Sequence, residues 1–344
     1  MEHTIFKHLH TTTSMASSTL LHLLSSYLST TIGILRSMLS HLLTLHKTPF
    51  LVVLVDVSLS LYFWSCGLSP CSVDLDDEQT TIHFWGSAHR RSRKPCLVFI
   101  HGYGGNSRWQ FWAQVGPLSQ SFNIFIPDLL FFGKSHTLSP QRSDVFQATC
   151  IVEGLRKLGV DKYSIYAISY GGFVGYRMAE VGGDKVEKLV IVSTGIGCTD
   201  EQKFEQLRKI GRNPLELLLP EKPQDLRVLM NLSIYKFNPF IWAPNFFLQQ
   251  FIDVMCNNYR KEKSELAEYL IFRKADSNLP VLTQETLIIW GNQDKVFPLS
   301  FAHHLQKHLG PKSKLEIIKD TGHAANVESP GAVNNSIRAF ILGK

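Results

Sequence analysis

The chain reads as an α/β protein built on an eight-stranded, mostly parallel sheet with helices on both faces. Three observations predict this. Continuous apolar runs such as Cys96–Ile100, Tyr163–Ile168 and Thr286–Trp290 have the character of strands buried on both faces. Amphipathic segments, for example Val145–Leu158 and Phe173–Glu180, alternate with them, as a parallel sheet with crossover helices requires. With 344 residues, 44% of them hydrophobic, the chain can hold one large domain, an insertion and a leader.

The leader comes first, over residues 1–65. From Met1 to Val55 the only acidic residue is Glu2, and Ser, Thr, His and Leu dominate. Leu21, Leu24, Leu28, Ile32, Leu35, Leu39 and Leu42 follow three-and-four spacing, which predicts an amphipathic helix. A second apolar run, Pro49–Trp64, is short for spanning a bilayer and contains Asp56. Three readings fit this leader: a membrane anchor acting through residues 18–64, an organelle transit segment (plastid or endoplasmic reticulum), or a helix packed on the main domain. The composition favours an intracellular, membrane-associated protein.

The domain itself is expected over residues 66–344. Val73–Leu75 and Thr80–Trp85 form an opening antiparallel pair around the acidic turn Asp76-Asp77-Glu78. The remaining strands are Cys96–Ile100, Phe122–Pro127, Tyr163–Ile168, Lys188–Ser193, Thr286–Trp290 and Lys314–Lys319. Residues 198–280, after the sixth strand, contain no strand pattern and are rich in aromatics, among them Phe237, Phe240, Trp242, Phe246, Phe247 and Phe251. A helical insertion is expected there. Most of these rings would hold it together, because ring burial dominates packing.

Four loops carry the chemistry. Ile165-Tyr166-Ala167-Ile168-Ser169-Tyr170-Gly171-Gly172 is a strand reaching a serine with small residues two positions before and after it. That pattern lets a strand turn sharply into a helix with the serine exposed at the tip. Upstream, His101-Gly102-Tyr103-Gly104-Gly105 follows a buried strand, and its glycines allow backbone N–H groups to face a ligand. Asp294 follows Thr286–Trp290, and His323 follows Lys314–Lys319 in a Gly-flanked loop. Asp294 has an alternative as a cap of the turn at Val296-Phe297. In open parallel sheets, ligands bind outside the carboxyl ends of the strands, so all four loops face one pocket.

On these motifs, residues from about 70 to 344 resemble the α/β-hydrolase superfamily. The resemblance rests on His101-Gly102-Tyr103-Gly104, Asp128 through Ser135, Ala167 through Gly172, Gly291-Asn292-Gln293-Asp294 and Gly322-His323. It is strongest to small serine hydrolases of the monoacylglycerol-lipase, esterase and C–C-bond hydrolase type. The resemblance implies an α/β-hydrolase fold with a helical cap over the catalytic face. It also implies Ser169 as nucleophile, His323 as base and Asp294 as its orienting carboxylate. The backbone N–H groups of Tyr103 and Tyr170 would form the oxyanion hole, supported by the loops of His101, Gly102, Gly104 and Gly171. No cofactor or metal is implied. Two departures stand out. Ala167 replaces the usual glycine at the start of the elbow, and Asp128–Ser135 is more apolar than usual, as a pocket wall or membrane contact would be.

These features point to cleavage of an apolar carboxylic ester, a monoacylglycerol or related lipid, through an acyl-enzyme. The alternatives are a C–C bond hydrolase or acyltransferase of the same fold, and a small-molecule receptor with residual hydrolysis. Serine at the elbow argues against epoxide hydrolases and haloalkane dehalogenases of this fold, which use aspartate there, and the H-x-x-x-x-D acyltransfer signature is absent. Net charge is +6, and the clearest basic cluster, Arg90-Arg91-Ser92-Arg93-Lys94, sits in a turn. Basic and aromatic residues do not alternate along any groove-like stretch, so nucleic acid is not an expected partner. The six cysteines lack C-x-x-C or ligand spacing and read as free thiols of a reducing compartment.

Overall fold

The computed structural model of the chain describes residues 25, 27–36, 49–76, 79–88, 94–236, 238–275 and 278–343. The chain divides into two units, Met1–Phe50 and Leu51–Lys344. In the first, residues 27–36 are helical, and Leu28, Ile32 and Leu35 of the leucine stripe are solvent-exposed. Leu21, Leu24, Leu39 and Leu42 lie outside the described residues, as do Asp77, Glu78, Arg90–Arg93 and Phe237.

The second unit opens within helix α1 (Phe50–Ser65), from Leu51 on, and continues into the sheet. The strands are β1 (Leu68–Asp74), β2 (Thr80–Ser87), β3 (Cys96–Ile100), β4 (Asn123–Pro127), β5 (His136–Thr137), β6 (Tyr163–Ile168), β7 (Val186–Val192), β8 (Glu285–Gly291) and β9 (Ser313–Ile318). Their order is β1-β2-β4-β3-β6-β7-β8-β9, with β5 paired to β2. Pairs involving β2 are antiparallel, and all others are parallel. Eight strands were expected. The ninth, β5, has two residues and pairs through Thr80↔Thr137 and Thr81↔His136, too short to carry a hydrophobic period. The first strand begins at Leu68 rather than Val73, because between the buried Leu68 and Val73 lie Ser69, Pro70, Cys71 and Ser72, exposed or half-buried residues that carry no apolar run.

Residues alternate between the two faces of the sheet, as a pleated strand requires. Ile165 and Ala167 of β6 join one core with helices α3 (Asp144–Lys157), α4 (Tyr170–Gly182) and α10 (Leu299–Leu309). Tyr166 and Ile168 join the other, with Phe111 and Val115 of α2 (Ser107–Ser119) and Val333 and Ile337 of α12 (Pro330–Leu342). Between β7 and β8 the described residues form α5 (Asp200–Ile210), α6 (Pro214–Leu218), α7 (Pro223–Ser233), α8 (Asn245–Met255) and α9 (Arg260–Phe272), with no strand. Leu219, Leu226, Leu248 and Ile252 form a separate small core within this cap.

Helix α1 corrects the boundary expected at residue 65. Val52 is fully buried in the cap core and Phe63 in the sheet core, so one helix ties the two together. Its single carboxylate, Asp56, accepts hydrogen bonds from Arg108 (2.5 Å), Asn106 (3.1 Å) and the Trp109 indole (3.1 Å). Apart from Asp56 and three serines the helix is apolar, so periodicity alone does not say whether it packs inward or faces lipid.

Candidate active site

The turn after β6 bends the chain through a conformation that few non-glycine residues adopt. Ser169 has φ 55° and ψ −121°, a strained geometry held by its N–H to Val192 O and by Gly172 N–H to Ser169 O, both 2.9 Å. A Cβ built at Gly171 would lie 2.4 Å from the Ile100 carbonyl oxygen, so the turn admits no side chain there. Across from the elbow, a Cβ added at Gly175 would lie 2.7 Å from the Cβ of Ala167, so the alanine at the start of the turn is matched by a glycine in helix α4.

The three expected side chains meet. His323 Nε2 lies 2.9 Å from Ser169 Oγ, and His323 Nδ1 lies 3.0 Å from Asp294 Oδ2. An ionised carboxylate can only accept, so Nδ1 carries the proton and Nε2 is free to accept from the serine hydroxyl. Asp294 makes both sets of contacts at once. Its Oδ2 faces the imidazole, while its Oδ1 accepts the N–H groups of Val296 and Phe297 at 2.8 Å each. The carboxylate is thus fixed by the turn it caps. Asp294 and His323 are buried, and Phe297 packs edge-on against the imidazole with ring centroids 5.4 Å apart.

The glycine loop after β3 faces the same point. Tyr170 opens helix α4, so its N–H is among the amides left unpaired at a helix start. The Tyr103 amide has no intramolecular acceptor among the described residues. Burial lowers the pKa of His101, which is held as a neutral ring: Nδ1 donates to Gly102 O (2.7 Å), and Nε2 accepts from Leu129 N–H (2.9 Å). Gln110, which sequence reasoning missed, clamps the loop. Its Nε2 donates to Gly102 O (3.0 Å) and Gly104 O (2.5 Å), and its Oε1 accepts Gly102 N–H (2.7 Å). Asn326, just beyond His323, donates to Gln110 O (2.7 Å) and accepts from the Gln114 amide (2.7 Å). A glutamine eight positions past a glycine carries no pattern that could have flagged this.

The apolar loop Asp128–Ser135 is neither pocket wall nor exposed surface. Leu129, Leu130, Phe131 and Phe132 are buried in the sheet core, and Phe132 packs edge-on against both His101 and Tyr103. Asp128 organises the loop, accepting from His83 (3.0 Å), the Ser107 hydroxyl (2.6 Å) and Lys134 N–H (3.3 Å). Burial would raise its carboxyl, but the hydrogen bond and charge of His83 and the hydrogen bond from Ser107 outweigh that and hold it at about 2.

A cavity of about 600 Å³ lies between Ser169 and the cap, within the size range of small-molecule sites. Its walls are largely apolar: Trp109, Met230, Phe240, Phe251, Ile271 and Phe301 are representative. Helix α1 contributes Val55 and Leu59, which the sequence had placed outside the domain. Of the cap aromatics, Phe240 and Phe251 reach the cavity, Phe247 packs against the cap core, and Trp242 and Phe246 are exposed.

A chain with this sheet, this strained serine turn and these loop positions has the architecture of an α/β-hydrolase. Residues 95–330 match the family model described as alpha/beta hydrolase fold, and the chain belongs to that family. It is 25% identical to a monoacylglycerol lipase of Homo sapiens over 303 residues, covering 82% of this chain and 86% of the relative. It is also 25% identical over 261 residues to a 2-hydroxy-6-oxononadienedioate/2-hydroxy-6-oxononatrienedioate hydrolase of Pseudomonas sp., covering 71% of this chain and 87% of that one. Among solved structures, a bacterial membrane phospholipase A shares the fold with a TM-score of 0.72 at 22% identity, over 86% of this chain and 91% of that one.

Proposed function

We propose that the protein is a serine hydrolase that cleaves an apolar carboxylic ester, a monoacylglycerol or related acyl ester, through an acyl-enzyme. The observation that carries the reading is the hydrogen-bonded chain Ser169–His323–Asp294 at the floor of a largely apolar cavity. In this mechanism Ser169 Oγ attacks the ester carbonyl while His323 Nε2 takes its proton. The imidazolium then protonates the departing alcohol, and Asp294 stabilises it throughout. The Tyr103 and Tyr170 amides bind the developing oxyanion. Water, deprotonated by His323, releases the acid.

The apolar walls set the substrate preference. Each methylene moved from water into such a pocket contributes about 0.8 kcal/mol. A series of p-nitrophenyl esters tests this: octanoyl should be cleaved with higher kcat/KM than acetyl, and the reverse order would contradict the lipid reading. Similarity to a lipase of Moraxella sp., 25% identical over 251 residues, supports the same substrate class. One observation favours a second reading. Lys203, Arg273 and Lys274 also line the cavity; Lys203 pairs with Asp200 (3.2 Å) and Arg273 with Asp144 (2.7 Å), and the positive charge of Lys274 suits the carboxylate of a C–C hydrolase substrate. Turnover of a 2-hydroxy-6-oxo dienoate in preference to octanoyl ester would favour it.

A membrane surface as partner is part of the proposal. No helix among the described residues is long and apolar enough to cross a membrane. Helix α1, however, exposes Val53, Leu54, Val57, Leu61 and Trp64 while its other side lines the cavity through Val55 and Leu59. An apolar face of this kind suits shallow burial in a lipid interface.

A further inference from the structure

Glu328 ends the short helix α11 (Ala325–Glu328), one turn beyond His323. Its two carboxylate oxygens take three backbone N–H groups from two separate parts of the chain. Oε1 accepts from Tyr235 (3.0 Å) and Lys236 (2.7 Å), in the cap segment that follows α7. Oε2 accepts from Gly322 at 2.6 Å. A second tie runs alongside: Ala324 N–H donates to Ser233 O, the last residue of α7, at 2.9 Å. The residues immediately before and after the imidazole are therefore both pinned. One is held by Glu328 and the other by the cap itself.

The fit leaves no slack. A Cβ added at Gly322 would lie 2.8 Å from Glu328 Oε2, 2.8 Å from Ser233 O and 3.0 Å from Tyr235 N. Hydrogen bonds from backbone amides to a carboxylate are among the stronger kind, and an amide side chain cannot replace this one. Glutamine offers one accepting oxygen and one donating nitrogen. Whichever way it turns, a donor meets either Gly322 N–H or the Tyr235–Lys236 pair.

We infer that Glu328 is a positioning residue for His323, locking the imidazole loop to the cap segment 233–236 so that the base is aligned on Ser169 only when that segment is seated. The inference rests on the reading of Ser169, His323 and Asp294 as the reacting groups. It assigns to the cap a part in holding the base, beyond enclosing substrate.

The test compares wild type, Glu328→Gln and Glu328→Ala as full-length protein on p-nitrophenyl butyrate, with competent sites counted by fluorophosphonate titration. Displacing a catalytic group by as little as 1 Å can cost about a hundredfold in rate. Glu328→Gln, with almost the same volume, should lower kcat per titrated site about tenfold while KM stays within about twofold. Glu328→Ala should lower kcat at least as much. A loss of cap packing alone would instead raise KM and leave kcat in place. A kcat for Glu328→Gln within about threefold of wild type, whatever happens to KM, overturns the inference; should the alanine variant prove insoluble, the glutamine variant decides. If wild type itself takes no fluorophosphonate, the serine mechanism falls and this inference with it. Labelled wild type with an unaffected Glu328→Gln sinks this inference alone.

Discussion

The floor of the pocket and its roof are built by different rules. On the floor each member of the proposed triad leaves the end of a strand: Ser169 after β6, Asp294 after β8 and His323 after β9. Close backbone approaches between separate parts of the chain fix each position: Gly171 against Ile100, Gly291 against Thr321 and Gly322 against Ser233. The roof, α5 through α9, is held by its own apolar core and by scattered long-range ties. Examples are the Tyr103 hydroxyl to Lys263 O (2.7 Å), Arg142 to Glu265 (2.8 Å) and Arg273 to Asp144 (2.7 Å).

Buried charge shows the same contrast. Asp128, beneath the floor, is satisfied from several sides and sits at about 2, so its charged form stabilises the fold. Lys263, in the roof, is buried, and that burial pushes its amine down to about 8. It donates to Met255 O at 2.7 Å and has the Phe132 ring 5.2 Å away. The floor uses a charge to lock a loop, whereas the roof carries one that opposes folding.

Variants sharpen this comparison. The largest effect belongs to the floor: Asp294→Asn should leave the fold intact and lower kcat about ten-thousandfold, because the imidazole loses its tautomer and its counter-charge. Steady-state kinetics with a short ester measure this; a loss under about tenfold would mean Asp294 serves mainly as the cap of the Val296–Phe297 turn.

The buried charges come next, read from urea midpoints against pH. Asp128 is depressed when folded, so its contribution is full above about pH 4 and is lost as pH falls towards about 2. The gap between wild type and Asp128→Asn, about 2 kcal/mol, should shrink across that window. Lys263 is also depressed, but it is a cation. The unfolded chain binds a proton there that the folded chain does not, so wild type should gain stability relative to Lys263→Met as pH rises from about 8 to about 10.5. Parallel curves for either pair would contradict the assignment.

The smallest effect concerns α1. Leu54→Glu with Leu61→Glu should reduce flotation with neutral liposomes about tenfold while leaving soluble-ester turnover near wild type. Unchanged flotation would remove this helix as the lipid-facing element. Deleting residues 1–65 would be the wrong experiment, since it also strips Val52 and Phe63 from two cores.

What was legible in the sequence follows the same division. The sheet and the serine turn were, because a strand buried on both faces is a continuous apolar run and a tight turn excludes side chains from neighbouring positions. Ser169, Asp294 and His323 were found by their places at strand ends, and the structure brings them within hydrogen-bond distance. Helix α1 was not assigned to the domain, since a helix with so few polar residues carries no period that distinguishes core from membrane. Gln110, Asn326 and Glu328 were invisible for another reason. Their partners are backbone atoms, such as the Gly102, Gly322 and Tyr235 amides, and backbone leaves no signature in a residue code. The loop at Leu129–Phe132 misled because apolar residues in a connection suggest a surface role, whereas Asp128 folds this one into the core.

Ser169, activated through His323 and Asp294, is the proposed nucleophile. Fluorophosphonate labelling followed by peptide mass spectrometry tests it most directly. The adduct should appear on the peptide containing Ser169 in the native protein and be absent from Ser169→Ala and from heat-denatured wild type. Equal labelling of Ser169→Ala, or a natively folded wild type that takes no label, would contradict it.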